Sequence, residues 1–216
     1  MARLDIKWRT RTEVAPQAVV TGESQEQTAR SSARIADKPM MVLVTDPDPT
    51  SKRMRKLEDV VFKNESLAIG TKFFDTIRIS EADAARDRIL AKAGKHAPRI
   101  VFLRRDYSVS GVVNKHSLKP RKITNEMRKI VKKTYVNSFD KMVKGYIKLL
   151  TKLDGLESVR QRLADKRSRL NGSTKKSSLK KLARDVKKYD KEMEKWRAAE
   201  ESLLSFKSKG AKAPKA

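Results

Sequence analysis

"KPMMVLVTDPDPTSKRM", residues 38–54, is the stretch on which the fold turns. MMVLVT is a continuous apolar run of strand length, the pattern of a central strand covered on both faces. DPDPTS is a loop, punctuated by two prolines and by aspartates that bond their own backbone. Ser51 then opens a helix, where its hydroxyl accepts from a free amide of the first turn.

Downstream, that helix is expected to run to about residue 70, with Met54, Leu57, Val61 and Leu67 near one face and Gly70 as its stop. FFDTIRIS reads as a second strand and EADAARDRILAKAG as a short helix ended by Gly94. After Ala97-Pro98, RIVFLRR is a third strand, DYSVSG a turn and VVN a fourth strand. The order is β-α-β-α-β-β and then helix. Upstream, Leu4, Ile6 and Trp8 alternate with polar residues as in a short strand, and residues 24–36 fit a short helix.

From about 121 to 170 the chain reads as one uninterrupted helix. Phe139, Met142, Tyr146, Leu149, Leu153, Leu156, Leu163 and Leu170 follow an alternating three-four rhythm, a heptad pattern, with Arg160 and Arg167 filling two seam positions. A turn is expected near 171–174, at Asn171-Gly172-Ser173. Leu179, Leu182, Val186, Tyr189, Met193, Trp196 and Leu203 then repeat the rhythm, with Glu200 in one slot. Two such segments predict an antiparallel coiled-coil hairpin over 121–206, its first helix about 70 Å long. Residues 207–216 are expected to be a disordered basic tail.

The 216 residues carry 52 Lys+Arg against 26 Asp+Glu, a formal net charge of +26. The excess is uneven. Residues 1–119 hold 23 basic and 15 acidic residues, a net +8; residues 120–216 hold 29 and 11, a net +18. Such a balance attracts polyanions. There is no cysteine, hence no disulfide, thiolate nucleophile or Cys-ligated metal. The N-terminus lacks an apolar signal core, and no run approaches the roughly 20 apolar residues of a membrane span. A cytoplasmic protein without a membrane span is expected.

The element order of residues 38–113 resembles the thioredoxin fold, and individual residues sharpen the likeness to the bacterial thioredoxin-like group. Lys38-Pro39 before an apolar run is similar to that group's opening strand. Leu57-Glu58, followed by Val61-Phe62, is similar to the helix after its CxxC motif. Ala97-Pro98-Arg99-Ile100-Val101-Phe102 is similar to its strand opening with a cis-proline. Counted forward from Lys38-Pro39, the CxxC slot falls on Pro49-Thr50-Ser51-Lys52. Counted back from Leu57-Glu58, the preferred register, it falls on Ser51-Lys52-Arg53-Met54. Neither holds a thiol. Redox-active members keep a buried carboxylate in the first long strand; the matching residue here is Leu43. The resemblance thus implies a redox-inactive member with neither cofactor nor metal. Its peptide groove would be formed by Asp48, Ser51, Arg53, Met54, Ala97 and Pro98, with a partner chain pairing at Ala97.

The expected architecture is therefore a thioredoxin-like α/β domain over residues 1–120 followed by the basic hairpin. Residues 121–140 partly supply the last helix on the sheet. The expected function is binding of protein or peptide partners rather than catalysis, with the coiled coil open to homo-oligomerisation. A second reading is nucleic-acid or ribosome association through Lys175, Lys176, Lys180, Lys181, Arg184, Lys187 and Lys188 near the hairpin tip. A third makes Ser51 a nucleophile or uses a carboxylate. Ser51 needs a base, and the chain offers only His96 and His116. Capping already accounts for Ser51, turn chemistry for Asp46 and Asp48, and solvation for both histidines.

Overall fold

The computed structural model describes residues 6–10, 38–114, 117–170 and 176–209. It is a mixed α/β structure. Five strands, β1 (Arg9–Thr10), β2 (Met40–Thr45), β3 (Asp75–Ser80), β4 (Arg99–Leu103) and β5 (Val109–Asn114), form one sheet in the order β1-β3-β2-β4-β5. β3 runs parallel to β1 and β2, while β4 runs antiparallel to both β2 and β5. MMVLVT is apolar throughout because β2 is the middle strand and is covered on both faces.

Alternation along the strands divides the core in two. Met40, Val42 and Val44 lie with Ile77, Ile79 and Val101 on one face. There Ala84 of α3 (Glu81–Arg86), Leu90 of α4 (Arg88–Lys92) and Ala93 close over them. Met41, Leu43, Ile100 and Phe102 point the other way and are fully buried. On that side α2 (Glu65–Gly70) packs on α5 (Pro120–Thr134), and α5 packs on β5.

Several details differ from expectation. Ile6 and Trp8 lie just before the first strand rather than in it, and the expected single helix over residues 81–94 divides at Asp87, whose side chain caps α4 by accepting from the Ile89 and Leu90 amides. The helix after Ser51 is not continuous to residue 70. It is a short α1 (Lys52–Lys56), a wider π-turn over Leu57–Val61 closed by Phe62 N–H donating to the Leu57 carbonyl (2.8 Å), and then α2. Asn64 breaks it by capping α2, its side chain accepting from the Leu67 amide at 3.2 Å. Gly70 ends α2 as expected, but without a left-handed cap. Its φ is −59°, and the chain runs on into a 3₁₀ turn, Thr71–Phe73. Glycine suits the position because Phe139 and Met127 press on it; an added Cβ would lie 2.8 Å from Phe139 Cζ and 3.2 Å from Met127 Sδ. Gly94, by contrast, has φ +105°, where glycine relieves backbone strain.

A further change is at residues 135–138, where the expected single helix divides into α5 and α6 (Phe139–Arg169). Tyr135 is extended (φ −118°, ψ 154°) and its phenol donates to the Phe73 carbonyl at 3.3 Å. This tertiary contact outweighs helical propensity. Ser208 pairs antiparallel with Tyr135, and the Lys209 amide donates to the Thr134 carbonyl at 2.9 Å. Residues 208–209 of the expected tail are thus held as a strap; residues 210–216, the expected turn at 171–174, Leu4, and the expected helix at 24–36 lie outside the described residues.

Two compact units result. One runs to Phe139 and includes Ser208 and Lys209; the other is Asp140–Lys207. In the second, α6 and α7 (Lys176–Leu204) lie antiparallel. Successive contacts set their register: Gly145 against Leu203, Tyr146 hydroxyl to Glu200, Trp196 Nε1 to the Leu149 carbonyl (2.7 Å), Lys152 to Glu192 (3.3 Å) and Lys166 to Asp185 (2.9 Å). Hydrogen bonding by the two partly or wholly buried aromatic groups fixes the helices more specifically than apolar contact alone.

Two outcomes test this packing. Gly70→Ala forces a methyl group into the Phe139 ring and is expected to cost about 1–3 kcal/mol in urea unfolding, with the fold retained. Burial, opposed by the Arg105 charge and aided by the Asp75 charge, pushes the Tyr135 phenol up to about 12. Its contribution is therefore full below pH 10 and lost as the pH rises through 12, because the unfolded phenol ionises first. The stability difference between the wild type and Tyr135→Phe should shrink by about 2–3 kcal/mol over that window.

Candidate functional site

The sheet register brings two loops together. Val44 of β2 pairs with Arg99 of β4 in antiparallel register. The loop leaving β2 and the loop entering β4 therefore emerge at the same sheet end from neighbouring strands. The first carries Asp46 to Ser51; the second carries His96, Ala97 and Pro98, with the Ala97–Pro98 peptide cis.

The first loop is tied by its own side chains. Asp48 accepts from the Thr50 amide (2.8 Å) and the Thr50 hydroxyl (2.7 Å), which holds its carboxyl below the ordinary aspartate value. Ser51 donates its hydroxyl proton to Asp46 (3.2 Å) and accepts from the Met54 amide (3.3 Å) as cap of α1. Both carboxylates and the serine hydroxyl are thus engaged in shaping the turn. Among the described residues, no histidine bonds Ser51 as a nucleophile's base would. His116 lies outside them, and His96 is exposed.

The six expected groove residues divide by exposure. Asp48 and Arg53 are exposed, and Ser51 and Ala97 are partly exposed. Met54 is fully buried and Pro98 is buried, so these two form the floor beneath the loops rather than a surface. Met54 points inward because the Ser51 cap sets the first turn of α1 with that position facing the sheet. The Ala97 amide and carbonyl make no hydrogen bond among the described residues. A backbone donor and acceptor left without a partner at the mouth of a strand has main-chain hydrogen-bonding capacity to offer.

Arg99 went unnoticed in the sequence. It is 3% exposed, on the face closed by α3 and α4. Its Nη2 donates to the Leu90 carbonyl at 3.3 Å, while Nε has no partner among the described residues. Burial lowers its pKa and the nearby Glu81 charge opposes the shift. The available signal was a lone cation opening an apolar strand, RIVFL, directly after proline.

In the second unit, Lys176, Lys180, Lys181, Arg184, Lys187 and Lys188 are all exposed along α7. Lys175 lies outside the described residues. Among those described, no helix is long and apolar enough to cross a membrane. Comparisons with protein-family models, with curated proteins and with solved structures return no match to this chain.

A buried guanidinium with an unmet donor carries a desolvation cost that an apolar side chain of similar length lacks. Arg99→Met is therefore expected to raise the denaturant midpoint, by about 1 kcal/mol in stability. A clear loss of stability would show that Arg99 holds the α4–β4 connection.

Proposed function

We propose that the first unit is a redox-inactive, thioredoxin-like docking domain that takes an extended peptide segment across the mouth formed by the two loops. Several observations support the family likeness. The strands and helices follow the β-α-β-α-β-β order. A cis-proline opens β4, a capped helix follows β2, and the two loops share one sheet end. Ser51 occupies the preferred thiol slot and acts as a cap. Leu43 occupies the slot of the buried acid and is fully enclosed. An unpaired acid there would cost several kcal/mol, so leucine is the stable occupant once no thiol needs a proton partner.

The observation that carries the proposal is the unpaired backbone of Ala97 beside a rigid loop. An extended chain gains main-chain hydrogen bonds there without disturbing the fold, and Asp48 and Arg53 offer it charges of both signs. On this view the protein binds rather than transforms, and its partner is a protein or peptide.

A ten-residue peptide library displayed against the full chain tests this directly. Selected binders are expected to shift the backbone resonances of Ala97 and Thr50 and to lose at least tenfold affinity on Ala97→Pro, which removes the amide donor. Binders that leave both residues unmoved, or that tolerate Ala97→Pro, would overturn it.

A further inference from the structure

α7 carries a feature separate from the docking mouth. At about 100° per residue, Lys176, Lys180, Arg184, Lys187 and Lys191 fall in one row along the helix. Lys181 and Lys188 flank that row on one side. All seven are exposed and lie within roughly 140° of the circumference. Leu182, Tyr189, Met193 and Trp196, the residues of the α6–α7 seam, occupy the opposite side. The row steps by three or four residues, about 5–6 Å, and extends over roughly 22 Å.

None of the seven forms an ion pair among the described residues. Two acids of α7 pair across the seam or along the helix rather than with the row: Asp185 with Lys166, though the Lys181 and Arg184 charges also act on it, and Glu192 with Lys152 and Lys195; exposed Asp190 lies about 40° outside the arc. Glu194 is the one acid within the arc. Lys176 and Lys180, Lys180 and Arg184, Arg184 and Lys188, and Lys187 and Lys191 are all like-charge neighbours four apart, an arrangement that destabilises a helix by itself. A solvated helix face gains nothing from it; a regularly charged ligand does.

We infer that this ridge binds the phosphodiester backbone of a nucleic acid, without reading its sequence. A line of cations at steps of about 5–6 Å suits a chain that presents one charge per repeat. The aromatic groups of α7 are turned into the seam, so no stacking platform accompanies the cations. Within the arc the residue among the cations, Ser177, is small, and the exposed Leu179 and Val186 lie about 60–80° beyond its edge, so the arc itself offers no large apolar side chain to a lipid surface.

The full chain is titrated with a labelled 30-nucleotide single-stranded RNA, and with a 30-base-pair DNA duplex, over 50–300 mM salt. Seven phosphate contacts give a log–log slope near −5 on the single strand. Replacing Lys180, Arg184, Lys187 and Lys191 together by Gln should flatten that slope by about 3 and weaken binding at least 100-fold. A variant with the same net charge, in which exposed Lys56, Arg88, Lys92 and Lys122 of the first unit become Gln, should stay within threefold. Glutamine keeps helix propensity close to that of lysine and arginine. The four single substitutions, each expected to remove about 0.7 from the slope, keep the test valid if the quadruple variant loses helix. Equal losses in the two quadruple variants, or no saturable binding by the wild type, would overturn the inference. So would equal or tighter binding of poly-glutamate or of phosphatidylserine-rich vesicles at the same salt.

Discussion

The burial of β2 on both faces is the constraint on which the rest of the first unit depends. A strand hydrogen-bonded to β3 on one side and β4 on the other has no freedom of register. A slip by one residue would exchange Met40, Val42 and Val44 for Met41 and Leu43, and each set meets a differently shaped partner surface. With register fixed, the loop after Thr45 and the loop before Arg99 emerge side by side. The side-by-side placement of the two loops is a consequence of strand pairing. The Asp46, Asp48 and Ser51 bonds then hold the β2 loop from within, and among the described residues the Ala97 backbone makes no hydrogen bond.

Much of the sheet was legible because its signals are local. MMVLVT, FFDTIRIS and RIVFL are apolar runs bounded by turn residues, and the Ser51 cap sits where the sequence places it. What could not be read depends on contacts distant in the chain. Gly70 and Gly94 look alike in sequence. One is small to admit Phe139, and the other is small because its φ is positive. The break at Tyr135 leaves no proline or glycine as a mark, since a phenol reaching Phe73 and a strap returning from Ser208 stabilise it. Met54 was read as a groove residue because the slot it occupies is reactive in the resembling group, yet the helix turn directs it inward.

The basic residues show the same split. The sequence reading placed the lysine and arginine candidates near the expected turn, where doublets are dense. Helical geometry continues the row to Lys191, past the cluster, and separates it from Lys166 and Lys152, which are ion-paired across the seam. Charge count alone does not make that distinction; pairing does. Among the described residues the two units therefore differ in what they leave unsatisfied: the Ala97 backbone and Arg99 Nε in the first, a line of cations in the second.

Native-state amide hydrogen exchange on the full chain tests the central claim most directly, since it reads pairing residue by residue. The account requires the amides of residues 41–44 and 100–102 to exchange only with global unfolding of their unit. The Ala97 amide, a few residues away in the same connection, should exchange orders of magnitude faster. Protection of Ala97 equal to that of Ile100 would mean its backbone is already partnered, and would contradict the account.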